Sequence, residues 1–318
     1  MSKLIGKLIR REYLTPSNAE KKTIHLEIEF SEELQYLPGD SIAIDVVNPL
    51  PQVERWLKKH NRQKTERIQH RKTLEEFDLF TYLLHHVNLH SIEDGSLERA
   101  RPLMPRFYSI ASSSKLHPKT IHLLVTLDEF LSEEGESLMG VASYFLSSHL
   151  KLENPISFKL YPNENFRLPA PETPILMVGS GTGVAPYKAF LEERVAMNAP
   201  GFNWLVFGER HQHSHFYYQS FFKDMEKQNK LKLSLAFSRD QAEKIYVQDR
   251  LRQEAETLFS LLDAGGIIYI CGDAKVMAKG VTETLEELYQ QKSGSTLDEA
   301  KQWLRGLKGA SQLRLDVY

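Results

Sequence analysis

The sequence predicts an antiparallel β-domain with a short helical insertion, followed by a parallel α/β sheet, and three observations carry that expectation. Residues 23–47, TIHLEIEFSEELQYLPGDSIAIDVV, alternate apolar and polar positions on both sides of a Pro-Gly-Asp turn, the pattern of half-buried antiparallel strands. Beyond residue 173 the apolar runs PILMVGS, NWLVFGE, LKLSLAFS and GGIIYICGD alternate with helical segments, as strands covered on both faces do. Between these parts lies PAPETP, residues 169–174, a proline-rich joint. The expected domains are therefore residues 1–170 and 171–318.

From residue 49 to about residue 101 the spacing changes. QVERWLKKHNRQ and TLEEFDLFTYLLHHVNL have helical periodicity, with a basic, polar stretch between them, so a helical insertion is expected there. Strands return in RFYSIASS, KTIHLLVTL and PISFKLYP. In LRLDVY, Leu313, Leu315 and Val317 alternate with polar residues, which predicts a last strand docked in the sheet with Tyr318 beside the cleft at its carboxyl end.

The 318 residues, 41% hydrophobic and 26% charged, can bury a sizeable core. A formal charge of −2 and the lack of a long like-charged block argue against a nucleic-acid partner. One cysteine, Cys271, excludes an intrachain disulfide framework and offers no Cys pair for zinc or an iron–sulfur cluster. No signal-like apolar core follows the basic first residues, and no run approaches ~18–20 apolar residues, so a cytoplasmic protein without a membrane partner is expected.

Residues 175–194, ILMVGSGTGVAPYKAFLEER, begin as a strand, pass Gly179, Gly181, Thr182 and Gly183, and continue with helix formers. Such a turn lets bare backbone N–H groups meet an anion at the positive end of a helix. The G-x-G-x-G spacing is one residue short of the usual dinucleotide fingerprint, so alone it reads equally as a tight turn needing positive φ. The third apolar run ends in SRDQAEKIYVQ, which gathers Ser238, Arg239, Lys244, Tyr246 and Gln248. Read alone, that loop is a solvated surface with an ion pair. After a glycine loop in the same sheet, its guanidinium, ammonium and hydroxyls point to the 2′-phosphate of NADP, where an NAD site would place a carboxylate on the ribose. The fourth run ends in CGDA, with Cys271 expected beside the cleft and Asp273 just beyond it. A lone Cys at a buried strand end is more often a packing residue than a nucleophile, and no histidine is arranged to activate this one.

In the β-domain, Arg106, Phe107, Tyr108 and Ser109 put a cation, aromatic faces and a hydroxyl on one short strand. Gly140, Val141, Ala142 and Ser143 open a helix, a second candidate anion site. The plain readings are an edge-strand tyrosine and a capped helix; next to an NADP site the two suggest a second nucleotide cofactor. His211, His213 and His215 alternate in a polar loop and are expected to be solvated rather than metal-bound, since no carboxylate or Cys completes the set in the neighbouring sequence.

RFYSIASS, GVAS, NFRLP, GSGTGVAPYKAFLEER, AFSRDQAEKIYVQD, YICGDAKVMAKGV and LRLDVY occur in the order found in ferredoxin–NADP reductase-like modules of diflavin reductases. From about residue 22 to residue 318 the sequence most resembles the FAD/NADPH part of the sulfite reductase flavoproteins. The resemblance implies an FAD-binding β-barrel followed by a Rossmann-like NADPH-binding domain. It implies Arg106 on the FAD pyrophosphate, Tyr108 on one isoalloxazine face with Phe107 beside it, and Ser109 near flavin N5. Gly140, Val141, Ala142 and Ser143 would hold the pyrophosphate from the other side. Gly181, Thr182 and Gly183 would take the NADPH pyrophosphate, and Ser238, Arg239, Lys244, Tyr246 and Gln248 the 2′-phosphate end. Cys271 and Asp316 would frame the nicotinamide, Asp273 would be a further cofactor-binding residue, and Tyr318 would cover the second flavin face; Ser109, Cys271, Asp316 and Tyr318 form the implied catalytic set.

Three departures accompany the resemblance: a shorter helical insertion, His215 at a position usually held by Asp, and no FMN phosphate loop within these residues. The expected function is an FAD-dependent NADPH reductase serving a separate acceptor, a flavodoxin-like or FMN-domain protein or a sulfite reductase hemoprotein. The rivals are a general ferredoxin or flavodoxin–NADP reductase and an inactive nucleotide-binding assembly subunit.

Overall fold

The alternation of residues 22–29 buries Ile24, Leu26 and Ile28, and the strands around them repeat that device until the sheet closes on itself. This computed structural model describes residues 3–70, 73–131, 135 and 137–318. In chain order the first strands are β1 (Leu4–Tyr13), β2 (Lys22–Glu29) and β3 (Ser41–Ile44). After the insertion come β6 (Arg106–Ser109), β7 (Thr120–Leu127) and β10 (Pro155–Tyr161), once β4 (Arg67–Gln69), β5 (Glu76–Asp78), β8 (Glu129–Leu131) and β9 (Ser137–Met139) are counted as two small hairpins. The six long strands pair antiparallel in the order β6-β3-β10-β1-β2-β7. An antiparallel bridge from Ile110 to Leu123, with the Ala111 N–H donating to His122 O at 2.8 Å, joins the two edges and makes a barrel.

The insertion differs in detail from its spacing. Helix α1 (Leu50–Lys59) forms as expected, but residues 73–89 divide into β5 and the short helix α2 (Leu79–His85). The Asp78 carboxylate accepts the Thr81 N–H at 2.8 Å, capping α2 one residue after the hairpin ends. Val53, Trp56, Leu79 and Leu83 form a separate core beneath these elements. On the barrel side the chain continues through α3 (Val141–Tyr144) and a wider turn, Phe145–His149.

The second half sets β11 (Ile175–Ser180), β12 (Asn203–Glu209), β13 (Lys232–Phe237), β14 (Ile267–Gly272) and β15 (Leu313–Val317) in a parallel sheet of order β13-β12-β11-β14-β15. Helices α4 (Ala185–Ala196), α5 (Gln212–His215) and α6 (Gln219–Lys227) follow β11 and β12. Helices α7 (Val247–Gln253), α8 (Ala255–Asp263), α9 (Lys279–Ser293) and α10 (Leu297–Gly309) follow β13 and β14. Continuous apolar strands such as Ile175–Ser180 are buried because apolar cores cover both faces of the sheet. The strand order reverses between β11 and β14, whose Gly179 and Cys271 lie in register. Among the described residues no helix is long and apolar enough to cross a membrane.

Helix α4 locks the barrel against this sheet, and it is buried nearly all round. Its Lys188 donates to Ala111 O at 3.1 Å and pairs with Glu192, while Glu192 accepts the Ser113 N–H at 2.9 Å and Glu193 accepts the Ser113 hydroxyl. Arg194 donates to Pro171, Thr173 and Gly201 carbonyls at 3.2, 3.1 and 2.8 Å, fixing the proline-rich joint. Burial pushes the Glu192 pKa up, but His117, Lys188 and the Ser113 N–H more than offset it and hold the carboxyl below its ordinary 4.5. Ionised Glu192 therefore contributes stability above that value, and the contribution is lost as pH falls through the depressed pKa. Glu192→Gln is expected to cost about 3–5 kcal/mol near neutral pH, since it leaves the Lys188 charge buried without its partner. In urea denaturation the gap from wild type should narrow as pH drops below 4.5.

Candidate functional site

Two cavities open side by side at the carboxyl ends of β11 and β14, where a sheet of this order binds ligands. The first, about 610 Å³, is walled on the barrel side by Arg106, Phe107, Tyr108 and Ser109 of β6 and by Gly140, Val141, Ala142 and Ser143 at the start of α3. Thr182, Asp316 and Tyr318 close it from the sheet side. The second, about 650 Å³, takes in Gly181, Thr182, Ser238, Tyr246, Gln248, Asp273 and Tyr318. Thr126, Asp128, Thr182 and Tyr318 border both, so the cavities share a wall.

Pairing of β3 with β6 sets Ser41 opposite Ser109 and Ile42 opposite Tyr108, which fixes the RFYS side chains along one wall. The Arg106 guanidinium donates to Met104 O, and the exposed Phe107 ring meets Tyr161 edge-on with centroids 4.9 Å apart. Ser143 is buried, and its hydroxyl oxygen accepts the Asp128 N–H at 2.8 Å. The helix expected at Gly140 thus opens against the end of β7.

The glycine loop is a single 3₁₀ turn, Gly181–Val184, ahead of α4. Gly181 has φ +57°, the left-handed region that glycine enters without cost. A Cβ on Gly183 would lie 2.2 Å from Cys271 O, so that close approach of the loop to β14 admits no side chain.

Asp316 is the hub of the first cavity's inner end. It accepts the Ser109 hydroxyl at 3.0 Å and the Asn163 amide at 3.4 Å, and Cys271 Sγ lies 3.9 Å from the same carboxylate. Burial pushes the Asp316 pKa up against the lowering effect of Ser109 and Cys271. Cys271 is fully buried and borders neither cavity; burial and Asp316 push its thiol pKa well up, which keeps it a protonated thiol. Tyr318 is 67% exposed yet fixed: its N–H donates to Gly272 O at 3.2 Å, its O accepts the Ala274 N–H at 3.1 Å, and its hydroxyl lies 2.9 Å from Thr182 Oγ1.

At the far end of the second cavity the sequence expectation and the geometry diverge. Arg239 and Lys244 are exposed and border neither cavity. Arg239 Nη1 donates to Glu20 Oε2 at 2.6 Å, and Arg210 Nη1 donates to the same oxygen at 2.8 Å. Lys21, from the loop before β2, reaches Glu209 at 2.6 Å and borders the cavity with Arg210. Burial pushes the Glu209 pKa up, but Lys21, the Arg210 N–H and His215 outweigh it and leave it lowered. Lys21, Glu209, Arg210, Thr126 and Asp128 were missed from sequence. FGER at the end of β12 is a strand-end signal that could have found Glu209 and Arg210, but nothing local marks Lys21.

Two further expectations need correcting: Cys271, expected beside the cleft, is covered by the strand end and borders neither cavity, and a carboxylate does lie beside the histidine loop. Asp240 Oδ1 is 2.9 Å from His211 Nδ1, and ligand atoms of His211, His213 and Asp240 all lie within 4.8 Å of one another. The carboxylate comes from the next strand end, out of reach of local spacing. His215 is buried, with its Nδ1 2.7 Å from the Ser214 hydroxyl.

Comparison with known proteins fits this geometry. Residues 94–145 match the family described as an FAD binding domain, and residues 177–283 match the oxidoreductase NAD-binding domain. The chain therefore carries an FAD-binding and an oxidoreductase NAD-binding domain in that order. A sulfite reductase [NADPH] flavoprotein alpha-component of Mannheimia succiniciproducens is 42% identical over 220 residues, 69% of this chain and 37% of that protein. One from Salmonella arizonae is 43% identical over 227 residues, 71% of this chain and 38% of the relative. One from Escherichia coli is 32% identical over 366 aligned positions, covering 100% of this chain and 61% of the relative. The alignment with the Escherichia coli protein runs the whole length of this chain, and the chain spans less than two-thirds of the length of each of these relatives.

The fit of the Gly181–Val184 turn against β14 is testable by itself. Gly183→Ala is expected to destabilise by about 1–3 kcal/mol, because the new methyl meets backbone that cannot move aside. Gly306→Ala, in α10 with open space around it, should stabilise by about 0.5–1 kcal/mol in the same urea titration.

Proposed function

We propose that this chain is an NADPH-dependent reductase module that holds FAD in the first cavity and NADPH in the second, and passes electrons to a separate acceptor protein. The shared wall at Thr182 and Tyr318 carries this reading, since two reacting rings must meet across one short gap. Both cavities have the size of ligand sites, and a loop that a Cβ would block suits close approach of a pyrophosphate. When bound, the nicotinamide and flavin supply hydride transfer and onward electron release.

The protein's part is positioning. Arg106 can turn from Met104 O toward a pyrophosphate, with the backbone N–H groups of Val141 and Ala142 opposite it. The Tyr108 ring offers one face to the isoalloxazine. Ser109 and Asp316 present a hydroxyl and a carboxyl to the reacting edge, and the raised pKa of Asp316 suits it to hold a proton there. Cys271 acts from beneath by fixing the Asp316 carboxylate. Ser238, Arg239, Lys244, Tyr246 and Gln248 take the 2′-phosphate end. We assign residues 1–170, with the insertion at about 49–101, to the FAD part and 171–318 to the NADPH part, and a cytoplasmic setting.

Purified protein supplied with FAD should be yellow and should bleach anaerobically with NADPH far faster than with NADH. Reduction of cytochrome c should be slow until a flavodoxin or an isolated FMN domain is added. Bleaching would exclude the inactive-subunit rival, whereas failure to take up FAD, or to bleach once loaded, would overturn the reductase reading.

Tyr318 has a separate role in this reading. Its ring must leave the flavin face before nicotinamide can stack, so any stacking energy, about 0.5–1.5 kcal/mol, is charged against both nucleotides. Tyr318→Ala should therefore tighten NADH and NADPH alike, up to about tenfold, with a stronger charge-transfer band in stopped flow. Unchanged affinity and band would show that the ring does not cover the flavin.

A further inference from the structure

The carboxylate of Glu20 receives two guanidinium groups from the other sheet. Arg210 follows the end of β12 and Arg239 follows the end of β13, while Glu20 belongs to the loop joining β1 and β2 of the barrel. Both Nη1 atoms donate to the same oxygen, Oε2, at 2.8 and 2.6 Å. The arginines are held as a fork: the Arg239 N–H donates to Arg210 O at 2.9 Å, and the Ser238 N–H donates to Glu209 O at 2.9 Å. Backbone pairing between neighbouring strand ends, rather than Glu20, thus sets their spacing. The neighbouring Lys21 is engaged with Glu209 and leaves the fork to Glu20.

We propose that Glu20 is a specificity-determining residue, an internal carboxylate that competes with the 2′-phosphate of the nucleotide for the Arg210–Arg239 fork. The inference rests on the reading of Arg239 as a 2′-phosphate ligand given above. The Glu20 and Arg239 side chains are largely exposed, at 58% and 45%, and Arg210 is 36% exposed, so each ion pair is worth little in water and can be exchanged quickly. A phosphate monoester brings close to twice the charge and three acceptor oxygens to the same donors, and so displaces the carboxylate. A nucleotide without the 2′-phosphate has nothing to put in its place and leaves Glu20 where it is. Glu20 therefore lowers affinity for the phosphorylated nucleotide alone, and it returns to the fork as that nucleotide departs.

The test uses flavin-loaded protein with 2′,5′-ADP and 5′-AMP as probes, measured by calorimetry at fixed ionic strength. Wild type and Arg239→Ala establish whether Arg239 confers a preference for 2′,5′-ADP. Glu20→Gln, an exposed and nearly isosteric change, should tighten 2′,5′-ADP about two- to tenfold, the scale of one or two surface ion pairs, and leave 5′-AMP unchanged. It should also slow release of NADP⁺ by a similar factor. If the Arg239-dependent preference is present but Glu20→Gln leaves 2′,5′-ADP unchanged or binds it more weakly, Glu20 orients the fork or is idle, and the inference falls while the site reading stands. If no Arg239-dependent preference exists, both fall.

Discussion

The arrangement of the site depends on the buried charge along α4. Lys188, Glu192, Glu193 and Arg194 sit on a helix that begins directly after the glycine loop, and they bind the Ala111–Ser113 segment of the barrel and the proline-rich joint. Buried charges of this kind are costly unless every partner is present, which makes them poor general glue but strict about geometry. Here the strictness is useful. The Ala111–Ser113 segment continues β6, which carries Tyr108 and Ser109, so each hydrogen bond to α4 fixes the barrel wall relative to the loop at residues 181–184.

That fixed seam explains how Ser109 and Asp316, 207 positions apart, come to a 3.0 Å hydrogen bond. Asp316 is set by the parallel pairing of β15 with β14, opposite Cys271, and Ser109 by the pairing of β6 with β3. Neither strand contacts the other through its own ladder. Their meeting is a property of the seam, and the same displacement that separated them would open the wall at Thr182 and Tyr318.

Much of this was legible from sequence because it is local. Strand ends carry their chemistry in consecutive residues, so GSGTG and RFYS announce cavity walls before the fold is known, while SRDQ and CGDA contribute Ser238 and Asp273 and leave Arg239 and Cys271 off both cavities. Alternation at residues 313–317 likewise announces a docked strand and so the place of Tyr318. What was not legible is assembled from distant parts. Lys21 and Glu20 come from a barrel loop to strand ends 188 to 219 positions away. Barrel closure rests on one bridge, Ile110 to Leu123, that no periodicity encodes. The Asp240 carboxylate reaches His211 because β12 and β13 are neighbours, a fact of strand order and not of spacing. The 73–89 segment misled for a local reason, since the helical spacing ran on across Asp78, a strong cap that starts the helix late.

Three of the polar groups expected to meet a ligand are already hydrogen-bonded within the protein. Arg106 has Met104 O, Thr182 has the Tyr318 hydroxyl, and Arg239 has Glu20. A ligand group gains only the difference between its own contact and the one it displaces. That difference is small for a neutral hydroxyl and larger for a multiply charged phosphate, so such a site discriminates by charge more sharply than by shape. The three exchanges also differ in what they move. Replacing Met104 O or Glu20 requires turning one partly or fully exposed side chain, whereas displacing the Tyr318 ring also breaks its hydroxyl contact at the wall between the cavities. Under the proposed assignment, nucleotide binding can therefore proceed from the phosphate end, where exchange is cheap, toward the ring, where it is costly, and the charged contacts made first help to drive the last step.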